Sequence, residues 1–254
     1  MMRGASVAGA RIVVTGANRG IGLAFVTEAL ERGAAAVYAG IRDVDEATDD
    51  LRATGATIVA LDVTDPAQVT AAAERCADAD VLINNAGLFT GNRLVMADDP
   101  DAARREMEVN FFGPLSTIRA FAPVFTRNAG GSIVNVLSVA AIAPTAFMGG
   151  YSPSKAAALY LGGIARAELE PANITVTSLI VGSVDTRMAA HVEGHKENPR
   201  DIAATGLRAM ERGEHTVDTD PMAVESRARQ ALDPVRYEAG LAKLLWAESL
   251  STKK

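Results

Sequence analysis

Tyr151 and Lys155 stand four residues apart in the stretch "GGYSPSKAAALYLGG" (149–163), whose composition predicts a helix opening near the tyrosine. Side chains at i and i+4 share one helix face, so a phenol and an ammonium can meet there. A free tyrosine ionises near pH ~10, which makes it a weak acid and a weak base at neutrality. An adjacent ammonium favours the tyrosinate and lowers that value, so the pair can act as a proton-transfer device. The same two residues also suit a wet helix face with no chemistry.

Such a pair needs a rigid platform, and the chain has the pattern of one. Short β-branched runs recur as "RIVVT" (11–15), "AAVYAGI" (35–41), "TIVALDV" (57–63), "VLIN" (81–84), "SIVNVLS" (132–138) and "ITVTSLIV" (174–181). Each reads as a buried strand. Amphipathic Ala-rich segments lie between them, among them "IGLAFVTEALERG", "PAQVTAAAERCADA" and "DAARREMEVNFFGPLSTIRAFAPVF". Strands alternating with helices imply parallel crossovers, hence an α/β class and a doubly wound sheet with helices on both faces. With 254 residues, 48% hydrophobic and 22% charged, the chain fits one domain over 1–254. The texture changes at 188–222, rich in charge and glycine, which is expected to cap the site or the sheet as a lid. The helical segments "PMAVESRARQAL" and "PVRYEAGLAKLLWAE" follow over 222–250.

Composition excludes several functions. A net charge of −6 without a basic block argues against nucleic acid. The single cysteine, Cys76, cannot form an internal disulfide and points to a reduced, cytoplasmic setting. No apolar run approaches membrane-spanning or signal-peptide length, so neither targeting nor membrane association is expected. His191, His195 and His215 lack the carboxylate or Cys spacing of a metal site, and no metal is expected.

The stretch "TGANRGIG" (15–22) follows the first strand and opens the first helix. Gly16, Gly20 and Gly22 there let backbone amides approach a pyrophosphate at a helix N-terminus. A ligand-free glycine turn looks much the same. Three residues and then one separate these glycines, unlike the commoner dinucleotide fingerprint. This spacing resembles that of the short-chain dehydrogenases/reductases, and further motifs extend the resemblance over about 11–188. "LDV" places Asp62 and Val63, "NNAG" places Asn85, Ala86 and Gly87, and Asn110, Ser138, Tyr151 and Lys155 match the family's tetrad with a typical Ser-to-Tyr interval of thirteen. Each element alone has a bland structural explanation; their joint occurrence in order is what carries the resemblance.

The resemblance implies a Rossmann-type oxidoreductase that passes hydride between a nicotinamide cofactor and a carbonyl or alcohol. Tyr151 would be the acid/base, Ser138 would hold the substrate oxygen, and Lys155 would also grip the nicotinamide ribose. The resemblance further implies that the Asn110 carbonyl would hold a water linking Lys155 to solvent. Pro114, four residues on, has no amide hydrogen to occupy that carbonyl, so a kinked helix is expected there. Cofactor contacts fall on Gly16, Asn18, Arg19, Gly20, Ile21, Gly22, Arg42, Asp62, Val63, Asn85, Ala86, Gly87, Tyr151, Lys155, Gly182, Val184 and Thr186.

Arg42, at the end of the second strand, and Arg19 suit the 2′-phosphate of NADP and favour it over NAD, as in the carbonyl-reductase branch. Asp43, one residue on, suits the ribose of NAD instead. Two departures stand out. Val181 replaces the usual Pro before Gly182, and no Gly-rich seventh strand is visible at the C-terminus, so six strands and a homodimer through the two long helices flanking the fifth strand are expected. Leu88, Phe89, Ala140, Phe147, Met148 and Met188 follow motifs whose neighbours line the family's substrate cleft, and favour an apolar ketone or aldehyde. The alternatives are an NAD-dependent alcohol dehydrogenase and a non-catalytic dinucleotide sensor; the latter has no need of Ser138, Tyr151 and Lys155.

Overall fold

The apolar runs become strands β1 (Arg11–Thr15), β2 (Ala36–Ile41), β3 (Thr57–Ala60), β4 (Val81–Asn84), β5 (Gly131–Val136), β6 (Ile174–Ile180) and β7 (Thr216–Asp218). The helices are α1 (Gly20–Glu31), α2 (Asp49–Ala53), α3 (Pro66–Arg75), α4 (Ala102–Met107), α5 (Gly113–Arg127), α6 (Tyr151–Leu169), α7 (Pro199–Arg212), α8 (Pro221–Leu232) and α9 (Pro234–Ser251). This computed structural model describes residues 2–190 and 192–251, without the side chains of 246–251, so His191 lies outside the described residues. All neighbouring strands pair in parallel, in the order β3-β2-β1-β4-β5-β6-β7.

Both faces of the sheet are covered, which is why its strands read as continuous apolar runs rather than alternating ones. Within β1 the period of two survives. Ile12 and Val14 join Phe25, Leu51, Ile202, Leu207 and Met210 on one face. Val13 joins Val69, Cys76, Phe121, Phe125 and Leu161 on the other.

The sheet has seven strands, not the six expected. β7 is only three residues long, "TVD", too short for a hydrophobic period to register in the sequence, and it is partly exposed. Neighbouring side chains hold it in place. Arg166 of α6 donates from Nε to the Val176 carbonyl at 3.0 Å and from Nη2 to the His215 carbonyl at 2.9 Å, joining β6 to the entry of β7. Thr177 Oγ1 adds a 2.7 Å bond to the Glu214 carbonyl.

The 188–222 stretch divides. Residues Met188, Ala189 and Val192 border a cleft at the carboxyl ends of the strands. Residues 199–212 form the crossover helix α7, which buries Ile202, Ala203, Leu207 and Met210 against the sheet and α1.

Candidate active site

β1 and β4 are adjacent, yet the chain continues from β1 toward β2 and from β4 toward β5. Loops leaving neighbouring strands in opposite directions open a crevice at their carboxyl ends, the usual ligand site of a doubly wound sheet. A cleft of about 750 Å³ lies there.

Its floor is the glycine loop. Gly16 and Gly20 have φ of +63° and +57°, a left-handed backbone that favours glycine. A Cβ on Gly16 would stand 2.8 Å from Ala86 Cα, and one on Gly22 would stand 2.2 Å from the Gly16 carbonyl oxygen. The loop is therefore packed as closely as backbone allows. Thr15 locks it to the β4 turn, its hydroxyl accepting from the Asn85 and Ala86 amides at 3.0 Å each. Asn85 Nδ2 reciprocates to the Thr15 and Gly16 carbonyls at 3.0 and 3.1 Å. Asn18 joins the loop to the segment after β2, accepting from the Thr48 amide at 2.8 Å and donating to the Glu46 carbonyl at 2.9 Å. No side chain caps the start of α1, so its first amides face the cleft with the helix dipole behind them, a fit for a dinucleotide's diphosphate.

Toward the other end of the cleft stand Ser138, Tyr151 and Lys155. Tyr151 opens α6 and shares a hydrogen bond with Ser138, which follows β5. Lys155 Nζ lies 5.6 Å from the centre of the Tyr151 ring and donates to the Val136 carbonyl at 3.0 Å. The Phe89 ring meets Tyr151 edge to face, 5.5 Å between centres. Tyr151 and Lys155 are 8% and 5% exposed, and this burial governs their proton affinities. Burial pushes the phenol up to about 12, with the Ser138 bond acting in the opposite sense and the negative charge of Glu106 adding to the rise. Burial likewise pushes the Lys155 ammonium down to about 8. The lowered tyrosine expected from the Lys155 charge is thus corrected: the phenol lies above its ordinary value, with desolvation as the largest cause.

Asn110 sits behind the cleft wall. It lies in a π-helical turn, Glu108–Phe112, between α4 and α5, where the Gly113 amide reaches back five residues to the Glu108 carbonyl. Before Pro114 the helix widens into this π turn, and the proline falls in the first turn of α5, where its missing donor costs little. The Asn110 side chain acts as a clamp. Oδ1 accepts from the Leu88 amide and Nδ2 donates to the Leu88 carbonyl, both at 2.8 Å, and Nδ2 also donates to Ser154 Oγ at 2.9 Å. The β4 loop is thereby fixed to the start of α6.

Of the expected catalytic and cofactor-binding residues, all but Gly22 and Asn110 line the cleft, and those two support the ones that do. Leu88, Phe89, Met148 and Met188 line its apolar part, whereas Ala140 and Phe147 do not. His195 pairs with Glu197 at 3.1 Å away from the cleft. Sequence reasoning missed Thr15, Ser152, Ser154, Glu106 and Asp220. Ser152 and Ser154 flank the α6 start, with Ser152 Oγ donating to the Ala140 carbonyl at 2.6 Å and Ser154 Oγ to the Tyr151 carbonyl at 2.7 Å. Their signal was the spacing "YSPS", two hydroxyls beside the tyrosine.

Asp220 ties the turn after β6 to α8. Its Oδ2 accepts from the Gly182 amide at 2.7 Å and from Thr219 Oγ1 at 2.9 Å, and its Oδ1 accepts from the Ala223 amide at 3.0 Å. Asp220→Ala removes a helix cap and leaves a buried amide without its acceptor, so stability should fall by about 2 kcal/mol. For a chain of this size that is a Tm drop of roughly 4–8 °C in thermal unfolding followed by circular dichroism.

A glycine cradle at the strand crossing and a Ser–Tyr–Lys cluster toward the far end of the same cleft have the make-up of a dinucleotide-binding site with a proton-transfer group beside it. The sequence profile described as short chain dehydrogenase matches residues 10–197, and the chain belongs to that family. The probable oxidoreductase EphD of Mycobacterium tuberculosis is 36% identical over 214 residues, which cover 78% of this chain and 35% of EphD, so the match spans about a third of that protein. The short-chain dehydrogenase ptmH of Penicillium ochrochloron is 37% identical over 182 residues, covering 69% of this chain and 66% of that one. Among solved structures, a short chain dehydrogenase from Burkholderia cenocepacia J2315 in complex with NADP superposes with a TM-score of 0.86 at 40% identity, covering 93% of this chain and 99% of that one.

Proposed function

We propose that this protein transfers hydride between NADP(H) and an apolar ketone or aldehyde, reversibly to the alcohol, with Tyr151 as the acid/base. The observation that carries this reading is the convergence of Ser138, Tyr151 and Lys155 in the same cleft as the glycine cradle. The glycine loop and Lys155 would hold the dinucleotide, whose nicotinamide would supply or accept the hydride and, when oxidised, would favour tyrosinate. Ser138 orients the substrate oxygen, Tyr151 gives it a proton or takes one away, and Lys155 biases the phenol toward ionisation. Leu88, Phe89, Met148 and Met188 supply an apolar wall for the rest of the substrate.

NADP is favoured because the Burkholderia relative binds it and because Arg19 and Arg42 line the cleft, exposed and outside any ion pair among the described residues. The competing Asp43 carboxylate accepts from the Asp45 amide at 2.9 Å, which engages it locally. A homodimer is part of the proposal, supported by the exposed Tyr160 and Ile164 on α6 and Phe112 just before α5. So is a reducing, cytoplasmic setting, supported by the single, buried Cys76.

A panel of ketones and aldehydes followed by NADPH absorbance tests the reading. Turnover of apolar members is expected, and nucleotide binding without turnover across the panel would point to a sensor instead. Arg42→Ala should raise KM for NADPH about tenfold and leave that for NADH near its starting value, from loss of one charge-assisted phosphate contact. An unchanged NADPH-to-NADH ratio would overturn the assignment of Arg42.

A further inference from the structure

Glu106 on α4 is wholly buried, an uncommon place for a carboxylate. Its Oε1 accepts from the Thr90 amide at 2.8 Å and from Thr90 Oγ1 at 2.9 Å, fixing the loop whose Phe89 ring rests on Tyr151. Its Oε2 has no hydrogen-bond partner among the described residues. That oxygen lies 2.6 Å from where a Cβ on Gly150 would stand, directly against the residue that precedes Tyr151. No side chain hydrogen bond caps α6 at Gly150, so the carboxylate stands at the positive end of a 19-residue helix.

We propose that Glu106 is a positioning residue for Tyr151: held by Thr90, its carboxylate sets a fixed negative charge beside the start of α6 and thereby governs how readily the phenol gives up its proton. The inference rests on the reading of Tyr151 as the acid/base. Three other groups face Tyr151 from the elements around it. Lys155 lies one turn along its own helix, Ser138 follows β5, and the Phe89 ring comes from the loop before α4. Glu106 opposes Lys155. The ammonium favours tyrosinate, and the carboxylate disfavours it through like-charge repulsion, in keeping with the direction of its effect on the phenol. The buried carboxylate adds to the desolvation that holds Tyr151 protonated.

Glu106→Gln tests this, because the amide oxygen can still accept from Thr90 while the charge is gone. The readout is tyrosinate absorbance during an alkaline titration with NADP⁺ bound, each protein measured against its own Tyr151→Phe counterpart to isolate one phenol from the four tyrosines. The Gln variant is expected to ionise Tyr151 at a pH lower by about half a unit or more, the effect of removing one nearby like charge. A titration coincident with the wild type overturns the proposal. Should the Gln variant fail to fold, Glu106→Asp decides, since it withdraws the carboxylate from Gly150 by one methylene: a lower midpoint supports the role and an unmoved one overturns it. If Tyr151→Phe retains turnover, the acid/base reading itself falls. An inactive Tyr151→Phe with an unmoved Gln titration removes Glu106 alone.

Discussion

Tyr151→Phe should lower kcat/KM for ketone reduction by about 10²–10⁴-fold, the usual contribution of a positioned proton donor. The loss should fall on kcat, because the phenolic proton is needed only as the carbonyl oxygen gains charge, not when the substrate docks. Phe retains the ring that meets Phe89 edge to face, so the cleft wall keeps its shape. The hydroxyl leaves behind Ser138, whose oxygen still accepts from the Ala140 amide at 3.2 Å and is not stranded. Dinucleotide affinity, measured by quenching or calorimetry, should stay within a few-fold, since the diphosphate cradle lies at the other end of the cleft. Steady-state rates of the variant within tenfold of the wild type would remove Tyr151 from the chemistry and leave Ser138 and Lys155 without a partner.

Much of the fold was legible because a parallel sheet buried on both faces leaves an unmistakable apolar signature. β1 and β4 match their expected limits, and β6 differs by a single residue. β7 was not legible, since three partly exposed residues held by Arg166 and Thr177 owe their strand conformation to partners rather than to their own pattern. The glycine loop and the Ser–Tyr–Lys cluster were legible because their chemistry demands particular residue types at fixed spacings. What escaped was the support around them. Glu106 reads from sequence as one more acid on a charged helix, and only the packing of α4 against α6 shows it buried beside Gly150. Asp220 likewise reads as an ordinary helix cap before Pro221; its bond to Gly182, thirty-eight residues away, is a property of the fold. The proton affinity of Tyr151 was misjudged for the same reason. Sequence spacing shows the charge one turn away but not the desolvation of the ring.

Desolvation has a consequence for Lys155 that can be measured without any substrate. Burial pushes its ammonium down to about 8, whereas an unfolded lysine titrates near ~10.4. Between those values the unfolded chain binds the proton and the folded chain does not, so stability rises with pH across that window. The destabilisation is complete below pH 8 and gone above about 10.4, and the difference of roughly two pKa units corresponds to about 3 kcal/mol. Tyr151 acts in the reverse sense: with its folded value pushed up to about 12, the unfolded chain loses its proton first, and stability falls as pH rises from about 10 to 12. Lys155→Met keeps the hydrocarbon bulk and removes the buried charge, at the cost of about 1 kcal/mol for the Val136 carbonyl that loses its 3.0 Å donor. The variant should therefore be more stable than the wild type at pH 7 by about 2 kcal/mol, a Tm roughly 4–8 °C higher. It should lack the rise in Tm between pH 8 and 9.5 that the wild type shows, while its turnover falls by about 10² or more because the neighbouring ammonium that favours phenol ionisation is gone. Thermal melts of both proteins without added dinucleotide at pH 7, 8 and 9.5 decide the matter. Parallel pH dependence in the two would mean that Lys155 is not held as a strained cation, and a less stable variant at pH 7 would mean that its bond to Val136 outweighs the desolvation of its charge.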